Sequence, residues 1–125
     1  MEKRSTQLLK GVLDMLLLAF IDREPCYGYE MVQKLHEKGL ELVSEGSIYP
    51  LLGRLEKNGF VEGYFVRSDQ GPNRKYYRIL PRGREHLKKW TGEWREFAQA
   101  VQQILDEGVD EAGRHNGKND QPGGA

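Results

Sequence analysis

The spacing of apolar residues changes once along this chain, from a helical period to alternation, and this change restricts the possible folds. Before Asn58 and Gly59, apolar side chains recur every three or four residues, as they do on one face of a helix. After them, segments 60–67 and 74–80 are rich in aromatic and β-branched residues and flank a turn, which is typical of a hairpin. The predicted fold is therefore mainly α with a small β-hairpin.

Three segments carry the helical spacing. Segment 8–21 is apolar around almost its full circumference and predicts one central, largely buried helix. A second helix is predicted within residues 25–39, because proline and glycine mark its two limits. Ser44 or Ser47 can cap the third helix. Ser47 is preferred, because Pro50 then lies in the first turn, where N–H groups lack intrahelical partners.

Basic side chains are concentrated near the predicted hairpin. The whole chain has 19 basic and 19 acidic residues, yet segment 67–89 holds eight basic and two acidic ones. Such a run is usually only a solvated face. Here it follows three helices, and that order is typical of a winged helix-turn-helix, in which one helix enters the DNA major groove and the hairpin neutralises phosphates. Alternation divides the second strand into one face with Arg74, Tyr76 and Arg78 and another with Lys75 and Tyr77.

Composition excludes several other classes of protein. A chain of 125 residues that is 38% hydrophobic fits one domain with a modest core. The longest apolar run, 15–21, is shorter than the roughly 20 residues of a membrane helix, and no export signal is visible, so we expect a cytoplasmic protein without a membrane partner. Cys26 has no second cysteine, and the histidines have no neighbours at metal-binding spacing, so we expect no disulfide, metal, cofactor or enzyme activity.

The most regular apolar pattern follows the hairpin. A fourth helix is predicted over 81–107, and its apolar residues are spaced by 3, 4, 3, 4 and 3 as in a heptad. They are Leu87, Trp90, Trp94, Phe97, Val101 and Ile104. This stripe packs either on the protein's own core or against a second copy. The helix is roughly 30 Å long and carries two tryptophans on this stripe, and both features favour a homodimer. The polar, glycine-rich segment 108–125 is predicted to be a disordered tail.

Four segments resemble, in order and spacing, the signature blocks of the PadR family of bacterial transcriptional repressors. They lie within residues 8–105 and read LLKGVLDMLLLAFI, CYGYEMVQKL, SEGSIYPLLGRLEKNGFVE and GPNRKYYRILPRGREHL. The short C-terminal part is similar to the compact LmrR-like subfamily. The resemblance implies that residues 1–80 form a winged helix-turn-helix DNA-binding domain and residues 81–107 a dimerisation helix. It also implies a homodimeric repressor that binds a pseudo-palindromic operator and leaves it when a small molecule arrives.

The resemblance further implies roles for single residues. Those that match the family's DNA-binding positions are Ser47, Tyr49, Pro50, Arg54, Arg74 and Lys75. Tyr76 and Tyr77 match tyrosines that more often pack at the base of the wing. Trp94, with Trp90 nearby, matches a tryptophan that stacks on flat aromatic ligands, although packing in the dimer is the alternative. Ala98 replaces an acidic residue of that site, so a preference for cationic ligands is not implied.

A different function remains open for the same fold. A winged helix can also serve as a protein-interaction module without specific DNA binding, in which case the basic RKYY segment would bind an acidic partner. Basic wings and a third helix that bears serine and tyrosine favour DNA. The sequence therefore predicts a DNA-binding transcriptional regulator.

Overall fold

The structure is a computed structural model, and it describes residues 4–41 and 43–111. The chain divides into two compact units, Met1–Lys89 and Trp90–Ala125. The elements, in chain order, are α1 (Arg4–Lys10), α2 (Leu13–Arg23), β1 (Cys26–Tyr27), α3 (Gly28–Glu37), α4 (Glu45–Lys57), β2 (Val61–Val66), β3 (Arg74–Ile79) and α5 (Pro81–Glu111). The predicted class, mainly α with a small β-hairpin, is confirmed.

The N-terminal segment contains two helices, so the prediction of one helix over 8–21 is wrong. A tight turn separates them, in which the Gly11 and Val12 N–H groups donate to the carbonyls of Leu8 and Leu9 at 3.1 and 3.0 Å. The apolar spacing runs through this turn without interruption, so periodicity could not reveal it. Leu9 is buried, whereas Leu8 is 63% exposed.

Helices α3 and α4 form the helix-turn-helix. Gly39 follows α3 with φ of +90°, which confirms the predicted glycine stop. The preference for Ser47 as the cap of α4 is wrong, because Ser44 is the N-cap and Pro50 lies inside the helix. The buried row that includes Ile48 and Leu52 holds α4 against the core despite the missing proline N–H.

The predicted hairpin is present, and a third strand extends it. Strands β2 and β3 pair antiparallel, with Gly63 opposite Tyr77. Strand β1 pairs with the other side of β3, which places Cys26 opposite Tyr77 as well and gives the order β1-β3-β2. Two residues are too few to show alternation in a sequence, so β1 was not predicted. The middle strand β3 is thereby held from both sides, and β2 is an edge strand.

One apolar core joins the helices to this sheet. Its fully buried side chains include Leu17, Leu18, Ile21, Met31, Leu35, Ile48, Leu52, Val61 and Cys26. Each large apolar side chain among them stabilises the fold by about 1.5–3 kcal/mol relative to exposure. Cys26 is a free cysteine and is buried in this core.

Helix α5 begins at Pro81, as predicted, because a first helical residue needs no N–H partner. It ends at Glu111 instead of 107, since one interior glycine, Gly108, costs only about 1 kcal/mol and does not stop a helix. Residues 112–125 of the predicted tail lie outside the described residues. Within residues 4–41 and 43–111, the helices are too short or too polar to cross a bilayer.

Candidate nucleic-acid interface

Helix α4 exposes a polar face to solvent. Ser47, Pro50 and Arg54 lie on it at spacings of three and four residues, which places them on one side of the helix. All three are exposed, and Arg54 forms no ion pair with any residue that the structure describes. They also line one wall of a surface cavity of about 330 Å³ between α4 and the turn region of α1 and α2. Three of the four predicted DNA-binding residues of α4 therefore lie together.

Tyr49 connects this face to the preceding helix. Its ring packs on the backbone of Gly28 so closely that a Cβ atom there would lie 2.6 Å from Cε1 of Tyr49. Burial of part of the ring, with a smaller effect of Glu45, raises the pKa of Tyr49 above its usual value of 10.0. The hydroxyl consequently remains protonated at neutral pH, where it can donate and accept hydrogen bonds.

Arg74 is the first residue of β3, the second strand of the wing. It is exposed, and its guanidinium carbon lies 4.7 Å from the centroid of the Tyr27 ring. This cation–π contact orients the side chain without neutralising it. No carboxylate of the described residues pairs with Arg74, so its charge can act on an external anion.

The other two cations of the same strand are ion paired within the protein. Nζ of Lys75 lies 2.9 Å from Oε1 of Glu56, which belongs to α4. Nε of Arg78 lies 2.9 Å from Oε1 of Glu62 across the hairpin. Arg74 and Lys75, which the sequence predicted as equivalent wing cations, therefore differ in their surroundings.

Two further exposed cations were not singled out from the sequence. Arg67 follows the end of β2, and Lys57 ends α4. Neither forms an ion pair with a described residue. The concentration of basic residues in segment 67–89 could have identified Arg67 as part of the interface. No feature of the sequence pointed to Lys57.

Tyrosines form the base of the wing, as the sequence predicted. Tyr77 is 5% exposed, and its burial raises its pKa above the usual value of 10.0. Tyr76 contacts the ring of Tyr27 edge-on, with centroids 5.2 Å apart, and stacks with Tyr64 at 6.0 Å. These contacts brace β3 between its two neighbouring strands.

The apolar stripe of α5 is largely open to solvent in a single chain. Trp94 is 43% exposed, Phe97 62%, Val101 41% and Ile104 67%, whereas Leu87 and Trp90 are half-buried. The rings of Trp94 and Phe97 lie 6.4 Å apart. An apolar row of this length is typical of an interaction surface.

Comparison with known proteins gives the family. Residues 17–89 match the model of the transcriptional regulator PadR-like family. An uncharacterized protein from Lysinibacillus sphaericus is 32% identical over 103 residues, which cover 81% of this chain and 94% of that protein.

Solved structures of transcriptional regulators share the fold. A PadR-like regulator from Bacillus cereus is 44% identical, with a TM-score of 0.72 over 79% of this chain and 96% of that one. A Streptococcus regulator is 39% identical, with a TM-score of 0.71 over 83% and 99% of the two chains. A PadR family regulator from Eggerthella lenta is 32% identical, with a TM-score of 0.73 over 81% and 88%. Because the family and these structures are regulators, the prediction that the chain is not an enzyme is confirmed. The chain belongs to the PadR-like family and is a DNA-binding transcriptional regulator with a winged-helix fold.

Proposed function

We propose that the protein is a homodimeric repressor that binds a pseudo-palindromic operator in the cytoplasm and leaves it when a small molecule binds. The observation that carries this proposal is the exposed polar face of α4, on which Arg54 forms no ion pair with any residue of 4–41 or 43–111. A helix of this kind can enter the major groove, and a two-fold symmetric dimer places its half-sites about one helical turn, roughly 10 bp, apart.

Each part of the interface has a separate task in this proposal. Ser47, Tyr49, Pro50 and Arg54 face the base edges, where hydroxyl and guanidinium groups discriminate between base pairs. Arg74 contacts the phosphate backbone, as do Arg67 and Lys57, because these exposed cations pair with no carboxylate in the part of the chain that the structure describes. Backbone contacts position the protein, and base contacts supply its sequence preference.

The α5 stripe is the proposed dimer contact. Burial of Phe97, Val101 and Ile104 against a second copy removes apolar surface from water, which stabilises the pair. The heptad spacing allows two copies of the helix to pack along their whole stripe. Leu87, Trp90 and Trp94 complete the row on each protomer.

Trp94 and Trp90 are the proposed contacts for an effector. The exposed indole of Trp94 offers a flat surface to an aromatic molecule, in line with an LmrR-like assignment, and Ala98 supplies no charge for a cationic ligand. Such a ligand relieves repression only when it binds the DNA-free arrangement of the dimer better than the DNA-bound one. If a candidate compound quenches tryptophan emission equally in Trp94→Phe, the ligand binds elsewhere.

Selection from random duplex DNA tests the function directly. The purified protein is incubated with the pool at physiological salt, and the bound duplexes are sequenced after several rounds. Enrichment of an inverted repeat supports an operator and the two-fold symmetry of its partner. Binding without enrichment that fades as salt rises would instead favour the protein-interaction function.

A further inference from the structure

One carboxylate joins α4, the helix proposed to enter the major groove, to both strands of the wing, β2 and β3. Glu56 lies in the last turn of α4, and its Oε1 accepts a hydrogen bond from Nζ of Lys75 on β3 at 2.9 Å. Its Oε2 accepts a hydrogen bond from the Gly63 N–H of β2 at 3.3 Å. We call Glu56, Gly63 and Lys75 the wing clasp.

Gly63 is needed for this arrangement. Strand β2 is at the edge of the sheet, so N–H groups on its outer side have no strand partner, and Glu56 binds one of them. A Cβ atom at residue 63 would lie 3.0 Å from Oε2 of Glu56 and would overlap the Lys75 side chain. A larger residue would therefore force the end of the Lys75 side chain to move and would crowd the Glu56 carboxylate.

The clasp neutralises Lys75 inside the protein. The Lys75 and Glu56 side chains are only 37% and 36% exposed, and the ammonium also lies 5.5 Å from the centroid of the Tyr77 ring. The hydrogen bond to Glu56 raises the pKa of Lys75 above its usual value of 10.5. The Glu56 carboxylate offsets the charge that Lys75 can offer to a phosphate, whereas Arg74 pairs with no carboxylate of the described residues.

We propose that Glu56 is a positioning residue, which holds the wing in a set orientation to α4 through Lys75 and Gly63. In this proposal Lys75 holds the wing through its ion pair with Glu56 and is not the phosphate contact that the sequence suggested. This inference rests on the proposed function, because a fixed orientation lets Arg54 on α4 and Arg74 on the wing bind one duplex together. Connected contacts bind more tightly than independent ones, because the second contact forms at high effective concentration.

The structure supplies a matched control for this role. Glu62 and Arg78 form an ion pair of the same 2.9 Å length in the same wing, but this pair joins β2 to β3 and does not reach α4. The test compares the double variant Glu56→Leu/Lys75→Met with Glu62→Leu/Arg78→Met. Each removes one acid and one base, so the net charge near DNA does not change.

Operator affinity is measured for both variants over a series of salt concentrations. We expect Glu56→Leu/Lys75→Met to bind about fivefold more weakly than the control variant, because ordering a loosened wing costs free energy on binding. We expect the slope of log affinity against log salt to match that of the wild type, because no phosphate contact is lost. A slope reduced by about 0.9 would show that Lys75 binds phosphate and would overturn the proposal, as would equal affinities of the two variants.

Amide hydrogen exchange tests the clasp without DNA. We expect the Gly63 amide to exchange about tenfold faster in Glu56→Leu/Lys75→Met than in the control, because that N–H loses its acceptor. Unchanged exchange would overturn the clasp, even if the wild type binds DNA. Faster exchange in a protein that selects no operator would support the clasp and contradict the proposed function.

Two glycine substitutions repeat the test without replacing any charged residue. Gly63→Ala crowds the Lys75 side chain and the Glu56 carboxylate, whereas Gly71→Ala, also in the wing, has no atom closer than 4.0 Å to its new Cβ. We expect a loss of operator affinity of about fivefold in Gly63→Ala alone. Equal affinity of these two variants would contradict the positioning role.

Discussion

The cations of the wing should differ in how strongly they bind DNA phosphates, because their partners inside the protein differ. Arg74 lies over the face of the Tyr27 ring and pairs with no carboxylate of the described residues, whereas Arg78 is paired with Glu62 and also lies 4.6 Å from the Tyr64 ring centroid. Sequence position alone makes these two arginines look equivalent. We therefore expect Arg74 to be the stronger phosphate ligand.

Arg74→Gln should weaken binding to operator and to random DNA alike. Loss of one phosphate contact releases one counterion fewer, so the slope of log affinity against log salt should fall in magnitude by about 0.9. Arg78→Gln is the control and should change this slope much less. The measurement is a titration of labelled duplex at several salt concentrations, and equal slopes for the wild type and Arg74→Gln would remove Arg74 from the interface.

At the scale of elements, the start of α5 depends on close contact with the backbone that precedes β2. Gly83 is buried in the first turn of α5, and a Cβ atom there would overlap the Phe60 carbonyl and lie 3.0 Å from Cγ1 of Ile79. The Leu80 N–H also donates to the Phe60 carbonyl at 2.9 Å. This contact fixes where the helix leaves the sheet.

Gly83→Ala should therefore lower the free energy of unfolding by roughly 1–3 kcal/mol, the usual cost of overpacking. Gly53→Ala is the control, because residue 53 in α4 has no atom within 4 Å of a new Cβ. That substitution should be neutral or stabilising by up to about 1 kcal/mol through helix propensity. Urea unfolding followed by circular dichroism measures both, and equal stabilities would contradict the close packing at Gly83.

At the scale of the whole molecule, we expect the exposed α5 stripe to determine the state of assembly. Phe97→Asp places a charge in the centre of the proposed contact, where burial without a partner is costly. We expect sedimentation equilibrium to give a dimer for the wild type and a monomer for this variant, with weaker operator binding. Gln99→Asp, exposed and off the stripe, should remain dimeric. A dimeric Phe97→Asp would place the contact elsewhere.

The free energy of unfolding should also depend on pH, and it should fall as the solution becomes alkaline. Burial raises the pKa of the Cys26 thiol above 9.0 and those of Tyr49 and Tyr77 above 10.0, and the Glu56 hydrogen bond raises that of Lys75 above 10.5. Above about pH 9 the folded protein keeps protons that the unfolded chain releases, so the free energy of unfolding falls as pH rises. Lys75 follows the same sign, because its contribution is complete below 10.5 and lost above it.

Urea unfolding between pH 7 and pH 11 checks this dependence. These four groups should contribute no change near pH 7, and the decline should begin at about pH 9 with the thiol. In Cys26→Ala the decline should begin later, near pH 10, where the tyrosines of the unfolded chain ionise. Stability that rises above pH 9 would contradict the burial of these side chains.

The sequence by itself determined most of the local structure and the family. The shift from helical spacing to alternation predicted the hairpin, Gly39 and Pro81 marked helix limits correctly, and the signature segments indicated PadR. These features depend on neighbouring residues, whose geometry is set by short-range sterics. The same local rule correctly placed Lys75 and Tyr77 on one face of β3, where they are in contact.

Only the tertiary structure decided which groups meet across the fold. Strand β1 exists because the connection between α2 and α3 passes beside β3, and no local pattern marks it. Lys75 pairs with Glu56, 19 residues earlier in the chain, whereas its neighbour Arg74 lies over the ring of Tyr27. Period and composition identify a basic strand, but the partner of each cation depends on side chains that folding brings together from distant parts of the sequence.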